Sequence, residues 1–203
     1  MAMLRFDKEL LGQQLEGLPL THRAAFAAAC AERLLPAYSR FSDEAGRGDP
    51  ETIRMALSRL WEDLNGGNPA SELELRALAK KCLALVPRED EEPWVDWQPS
   101  GEDAAAAVVY ALEARWKEGS QEATRVARRA YEAIDRFAMK NEPGVIVTAA
   151  SEARVLEHRL VQAELARQRR DLDELRGARD RDVRDLASRL RDRAVVESAT
   201  FFG

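Results

Sequence analysis

Glu32, Arg33 and Tyr38 lie within two helical turns of each other, in a stretch otherwise built from Ala, Leu and Phe. A carboxylate, a guanidinium and a phenol on one apolar helix could line a small polar pocket and hold a ligand. The same groups serve equally well as an ion pair or hydrogen bond that fixes packing around Pro36, because a buried polar group must be paired whatever its purpose. Packing is the preferred reading. Gly46-Arg47-Gly48-Asp49-Pro50 has the outline of a phosphate-cradling loop ahead of a helix. Asp49 takes the cap position, however, and its carboxylate repels phosphate. No Walker spacing is present either, so a plain turn and cap is expected.

The remaining reactive residues are few. His22 and His158 are the only histidines, and neither sits in a metal-binding helix motif. Cys30 and Cys82 have no CxxC or zinc-type spacing. Cys30 falls on an apolar stripe and reads as a small hydrophobe. Cys82 has Lys80 and Lys81 beside it, which would lower its pKa if it were exposed. No catalytic residue, metal site or cofactor is assigned. Glu89-Asp90-Glu91-Glu92-Pro93-Trp94-Val95-Asp96-Trp97 is the most distinctive segment. Its oxygens could attract a divalent cation, but their spacing is not that of a calcium loop. Trp94 and Trp97 either pin the loop to the core or anchor a protein partner.

Arg167–Arg193 carries ten Arg against seven Asp or Glu. Acids stand four residues from bases along it, as in Arg170 with Glu174, a spacing that supports an exposed helix. A thin apolar seam, Leu165, Leu172, Leu175, Val183, Leu186 and Leu190, suits a partner helix better than a globular core. Leu172, Leu175, Leu186 and Leu190 are therefore expected, with Trp94 and Trp97, to bind a partner. Nucleic acid is disfavoured by the net charge of −5 and by the interleaved acids.

The elements that must position these residues are helical almost throughout. Ala24, Ala27, Ala28, Ala31, Leu34, Leu35, Tyr38 and Phe41 recur at spacings of three and four, behind a candidate N-cap at Thr21. Pro36 should kink or break that helix. Asp49-Pro50-Glu51 starts the next helix, and Asn68-Pro69 another. Residues 87–101 are the least helical part of the chain. A helix resumes near Glu102, a further one follows Ser120, and Val145–Thr148 reads as a packed loop or a first helical turn. A long final helix is expected over 151–195, with Gly177 able to bend or split it. The Thr200-Phe201-Phe202-Gly203 tail should fray or dock on a neighbour.

The expected fold is all-α: one domain over 1–203, a bundle of about seven helices. With 203 residues, 45% of them hydrophobic, the chain can bury a core and is not a disordered polymer. The apolar runs 24–31 and 104–112 fall far short of a membrane span of roughly 20 residues. No secretory leader is legible at the N-terminus, so a cytoplasmic bacterial protein is expected. The split of 26 Arg against 5 Lys reads as codon bias before function.

Several stretches, taken in order, resemble the bacterial YjaG-like family of unknown function. They are Cys30-x-Glu32-Arg33-x-x-Pro36-x-Tyr38, Phe41 with Gly46–Asp49, Leu60-Trp61-Glu62-x-Leu64, and Pro87 ahead of an acidic segment and an Ala-rich helix. Arg181-Asp182 with Leu186, Leu190 and Arg191 completes the set. The resemblance implies an all-helical fold and supplies no catalytic residue or substrate. After residue 140 this sequence departs from the pattern by its wealth of Arg and Asp. The favoured function is a self-associating interaction, scaffold or adaptor protein. The alternatives are a ligand binder or enzyme using Glu32, Arg33 and Tyr38, and a nucleic-acid-associated protein using the Arg-rich helix.

Overall fold

A run of small side chains lets helices approach closely, and the longest such run sets the centre of this fold. The computed structural model describes residues 3–88, 90, 92–141, 156–179 and 182–200. Among them are eight helices: α1 (Lys8–Glu16), α2 (Leu20–Ala45), α3 (Pro50–Leu64), α4 (Glu72–Leu83), α5 (Gln98–Glu113), α6 (Gln121–Asn141), α7 (Arg159–Gly177) and α8 (Val183–Ser198). Every residue from Ala24 to Ala31 on α2 is fully buried. So wide a buried surface needs neighbours all round, and α2 packs against α3, α5, α6, α7 and α8. The Ala104–Leu112 run makes α5 its principal partner. One hydrophobic cluster takes residues from all eight helices.

At Gly101 α5 lies tight against α2. A Cβ there would sit 2.6 Å from Cβ and Cγ of Phe41, so no larger residue fits without displacing that ring. At the end of α2, Gly46 adopts φ +62°, the left-handed cap conformation that glycine takes without strain.

The helix starts differ from expectation in instructive ways. Asp49 caps α3 as expected, accepting from the Thr52 amide and hydroxyl with Pro50 in the first turn. Thr21 does not cap α2; the helix already begins at Leu20 behind Pro19. Pro36 does not break α2, which runs on to Ala45. The missing N–H frees only one carbonyl of an otherwise well-packed helix. α4 starts at Glu72, capped by Ser71, rather than at Asn68-Pro69. α5 starts at Gln98, ahead of Glu102, because Pro99 is compatible with a first turn.

The single long helix over 151–195 is corrected. The split that Gly177 allows is the one observed: α7 ends at Gly177 and α8 begins at Val183. Arg193 of α8 pairs with Glu174, Glu197 with Arg170, and Thr200 with Arg167. Successively later residues thus meet successively earlier ones, so the two helices form an antiparallel hairpin. Residues 151–155 and Val145–Thr148 lie outside the described residues, as do Phe201, Phe202 and Gly203.

Candidate functional site

The chemistry-bearing residues of α2 fall into three separate environments. Arg33 points into the interior and is 1% exposed. Its Nε and Nη2 donate to Glu164 of α7 at 2.9 and 3.1 Å, as a two-pronged pair, and Nη1 donates to Asp171 at 3.0 Å. Nη2 also reaches the Cys30 sulfur at 3.4 Å. The planar guanidinium fits this arrangement because its donors are fixed in a fork. Burial alone would push the Arg33 pKa down; the charges of Glu164 and Asp171 outweigh it and hold it well above the ordinary arginine value.

A second layer of cations surrounds the two acids. Asp171 also accepts from Arg170 at 2.7 Å and Arg193 at 3.2 Å. Glu197 pairs with Arg170 at 2.8 Å and lies 3.6 Å from Arg33. Gln168 donates to Glu164 and to the Ala127 carbonyl, tying the centre to α6. Arg33, Glu164 and Asp171 are closed to water and hydrogen-bonded through the guanidinium. Arg170 and Arg193 of the outer layer reach solvent, and Arg193 Nε and Glu197 Oε2 are buried without a hydrogen bond. The closed inner pairing makes the centre a packing device joining α2 to the α7–α8 hairpin.

Glu32, the next residue, emerges on another side of α2. It accepts from the Trp61 indole N–H at 2.9 Å. Burial pushes its pKa up, opposed by the Trp61 bond and the charges of Arg191 and Arg54. Tyr38, one to two turns on, donates to the Leu85 carbonyl at 2.9 Å and accepts from the Asp49 amide at 3.4 Å. The three side chains share no pocket. Consecutive residues point about 100° apart around a helix axis, so neighbours in sequence diverge in space. The alternative in which Glu32, Arg33 and Tyr38 converge on one ligand is therefore set aside.

The elevated Glu32 pKa carries a pH dependence. Folding stabilises the protonated carboxyl, so this group's contribution is fully present below the unfolded value of 4.5 and is lost as pH rises through the folded value. Glu32→Gln keeps an acceptor for Trp61 but does not titrate. The stability of Glu32→Gln relative to the wild type is expected to rise across that window and level off towards neutral pH. Urea midpoints of both proteins between pH 4 and 8 check this; a flat difference would refute it.

Arg47 does not serve an anion. Its guanidinium donates to the Pro93 carbonyl at 3.0 Å and the Gln98 side chain at 2.9 Å, and lies over Phe41. It fastens the Trp-containing loop, and three further contacts do the same. Gln98 donates to the Arg88 carbonyl, the Trp97 amide to Glu44 at 3.0 Å, and Lys140 to Asp96 at 2.7 Å. Trp97 is held between Arg40, 5.1 Å from its ring centroid, and Phe137 at 5.9 Å. Trp94, on the same fastened loop, stays 53% exposed.

The family profile for "Protein of unknown function (DUF416)" matches residues 11–202. The chain belongs to the DUF416 family. The fold agrees: the crystal structure of a DUF416 family protein from Shewanella baltica OS155 superposes with a TM-score of 0.76 at 21% identity, covering 91% of this chain and 92% of that one. No curated protein matches the chain.

In this DUF416 protein the seam leucines form no exposed stripe, although Leu165 and Leu172 also border the groove beside α1. Leu172, Leu175, Leu186 and Leu190 are 3%, 0%, 2% and 1% exposed, packed inward between the hairpin and α2, α3 and α6. The expectation of an exposed, partner-facing seam is corrected; the seam is thin because the hairpin covers a core already filled by α2. Cys82 is buried rather than exposed, which pushes its thiol up to about 12, and burial drives Cys30 further still. Both are inert as nucleophiles. His158 caps α7, its Nδ1 accepting from the Leu160 amide, and His22 is buried. Among the described residues no group of three or more His, Cys, Asp or Glu is arranged to hold a metal ion, and no helix is long and apolar enough to cross a membrane.

Sequence reasoning missed Glu164, Asp171 and Glu197 as the partners of Arg33. A signal existed. Glu164, Gln168 and Asp171 occupy positions on the inward stripe of α7 with Val161, Leu165, Leu172 and Leu175. Acids on an apolar stripe imply a buried cation opposite.

Proposed function

We propose that this DUF416 protein is an interaction protein, a scaffold or adaptor, acting as one all-helical domain over 1–203 that presents Trp94 to another chain, in the first instance a second copy of itself. The observation behind this reading is the pairing of a fastened loop with an exposed indole. Arg47, Gln98, Glu44 and Lys140 order the loop before any partner arrives. A preordered aromatic anchor spends little conformational entropy on binding, and Trp is enriched where interfaces concentrate their energy. The closed charge centre around Arg33 suits a rigid support. Two of the five YjaG-like stretches fit this reading: Cys30–Tyr38 lies on α2, and Phe41 with Gly46–Asp49 leads into the turn whose Arg47 holds the loop. Two free, buried thiols suit the reducing cytoplasm. Three arginines of the C-terminal hairpin weigh against a nucleic-acid role, because Arg167, Arg170 and Arg193 are engaged with Glu197, Asp171 and Glu174.

Light scattering is expected to give an integer multiple of the 22.8 kDa chain mass, falling to one chain in Trp94→Ala with an unchanged thermal midpoint. A photo-crosslinking residue at position 94 should give a discrete adduct in cells. A monomer at all concentrations with no adduct refutes the reading.

A further inference from the structure

α1 and α7 both pack on α6, and a groove of about 380 Å³ opens between them. Its walls are fixed. The Leu4 amide donates to the Gln162 side-chain oxygen and the Leu4 carbonyl accepts from the Gln162 amide group, both at 2.9 Å. Phe6 stacks on Tyr131 of α6 at 5.3 Å. Asp7 caps α1, accepting from the Leu10 amide. Leu11, Leu165 and Leu172 lie at its base beside Gln14 and Gln168, and Leu10 stands 51% exposed at the mouth.

The rim is cationic. Arg5 lies on one wall, and Arg169 and Arg176 on the other. Arg5 and Arg176 have no carboxylate partner among the described residues. Arg169 has only Asp173, at 3.9 Å and with both side chains largely exposed, a contact worth little. Asp7, the other acid on the groove, is occupied as a cap.

We infer that this groove docks an amphipathic acidic helix of a partner protein. The spacing of the cations decides the class of ligand. Arg169 and Arg176 are two turns apart on one helix face, roughly 10 Å along its axis. A single anionic head group on a small molecule reaches one of them. A helix with acids two turns apart reaches both, and its intervening apolar residues fall over Leu165 and Leu172. This is the helix-in-groove mode, in which an apolar face seats between helical walls and flanking charges set the register. The groove lies apart from Trp94 and does not rest on the role proposed for it.

The test is a display selection of random 16-residue peptides on the wild type, counter-selected on the Arg169→Glu/Arg176→Glu variant. Both positions are exposed, so the variant should fold; its melting curve checks that. Retained peptides are expected to carry apolar residues at helical spacing with Asp or Glu two turns apart. A synthetic version should bind the wild type saturably in fluorescence anisotropy and weaken at least tenfold on Arg176→Glu and on Leu10→Glu. It should bind Trp94→Ala unchanged, which separates this site from the proposed Trp94 interface. No enrichment, or enrichment of basic peptides, overturns the inference. So does saturable binding of sodium decanoate with no peptide selected, which would assign the groove to a small amphipathic anion.

Discussion

Replacing Arg33 with methionine is expected to cost about 3–5 kcal/mol of folding stability, a large fraction of the roughly 5–15 kcal/mol typical of a domain. The reason is what remains. Glu164, with its side chain 1% exposed, would keep its burial and lose the cation that offsets it, while Asp171, equally buried, would keep only the partly exposed Arg170 and Arg193. Removing one partner of a buried pair is far more damaging than replacing the whole set by apolar groups. At a slope of about 2 kcal/mol per molar, the urea midpoint should fall by roughly 2 M. Arg33→Lys keeps the charge but cannot reach Glu164 with two parallel donors and Asp171 with a third, so a smaller loss of about 1–3 kcal/mol is expected. The cost of Arg33→Met should shrink in a Glu164→Gln background, because the stranded charge is then reduced; such coupling reports direct contact. A loss under about 1 kcal/mol for Arg33→Met would show that the centre does not hold the hairpin to α2.

The helices themselves were legible because each carries a local period. Ala24 through Phe41 mark one stripe, and Asp49-Pro50 marks a helix start, both without reference to the rest of the chain. What joins the helices was not legible. Arg33 and Glu164 are 131 positions apart, and no local spacing announces such a pair. The charges of the C-terminal region misled for a related reason. Arg170 has an acid four residues ahead, Glu174, which reads as support for one continuous exposed helix. In the structure Arg170 turns instead to Glu197 and Asp171, while Glu174 pairs with Arg193. Charges that could pair along a helix pair across a hairpin, and only the turn after Gly177 decides between the two. The polar trio of α2 shows the same limit. Sequence proximity put Glu32 beside Arg33, whereas helical rotation sent one to Trp61 and the other to Glu164.

Leu186→Glu is expected to unfold the protein rather than to change its assembly state. If Leu186 lay on a seam between chains, a charge there would leave a folded monomer with an unaltered melting curve. The structure instead places it 2% exposed, on the inward stripe of α8. Truncating a buried leucine alone costs about 2–5 kcal/mol. Placing a carboxyl group among apolar side chains adds a desolvation cost that the group can escape only by taking up a proton. Together these terms approach the stability of a typical domain. Far-ultraviolet circular dichroism at 25 °C should show a large loss of helix at neutral pH, with partial recovery on acidification as the new carboxyl is neutralised. Leu172→Glu, on the facing stripe of α7 and 3% exposed, should behave alike. Val196→Glu is the control on the same helix: at 71% exposure it should move stability by no more than about 0.5 kcal/mol. A folded Leu186→Glu with reduced mass would overturn the inward packing of the hairpin, and with it the assignment of Arg33 to a closed centre, because both depend on the same face of α7 and α8 lying against α2.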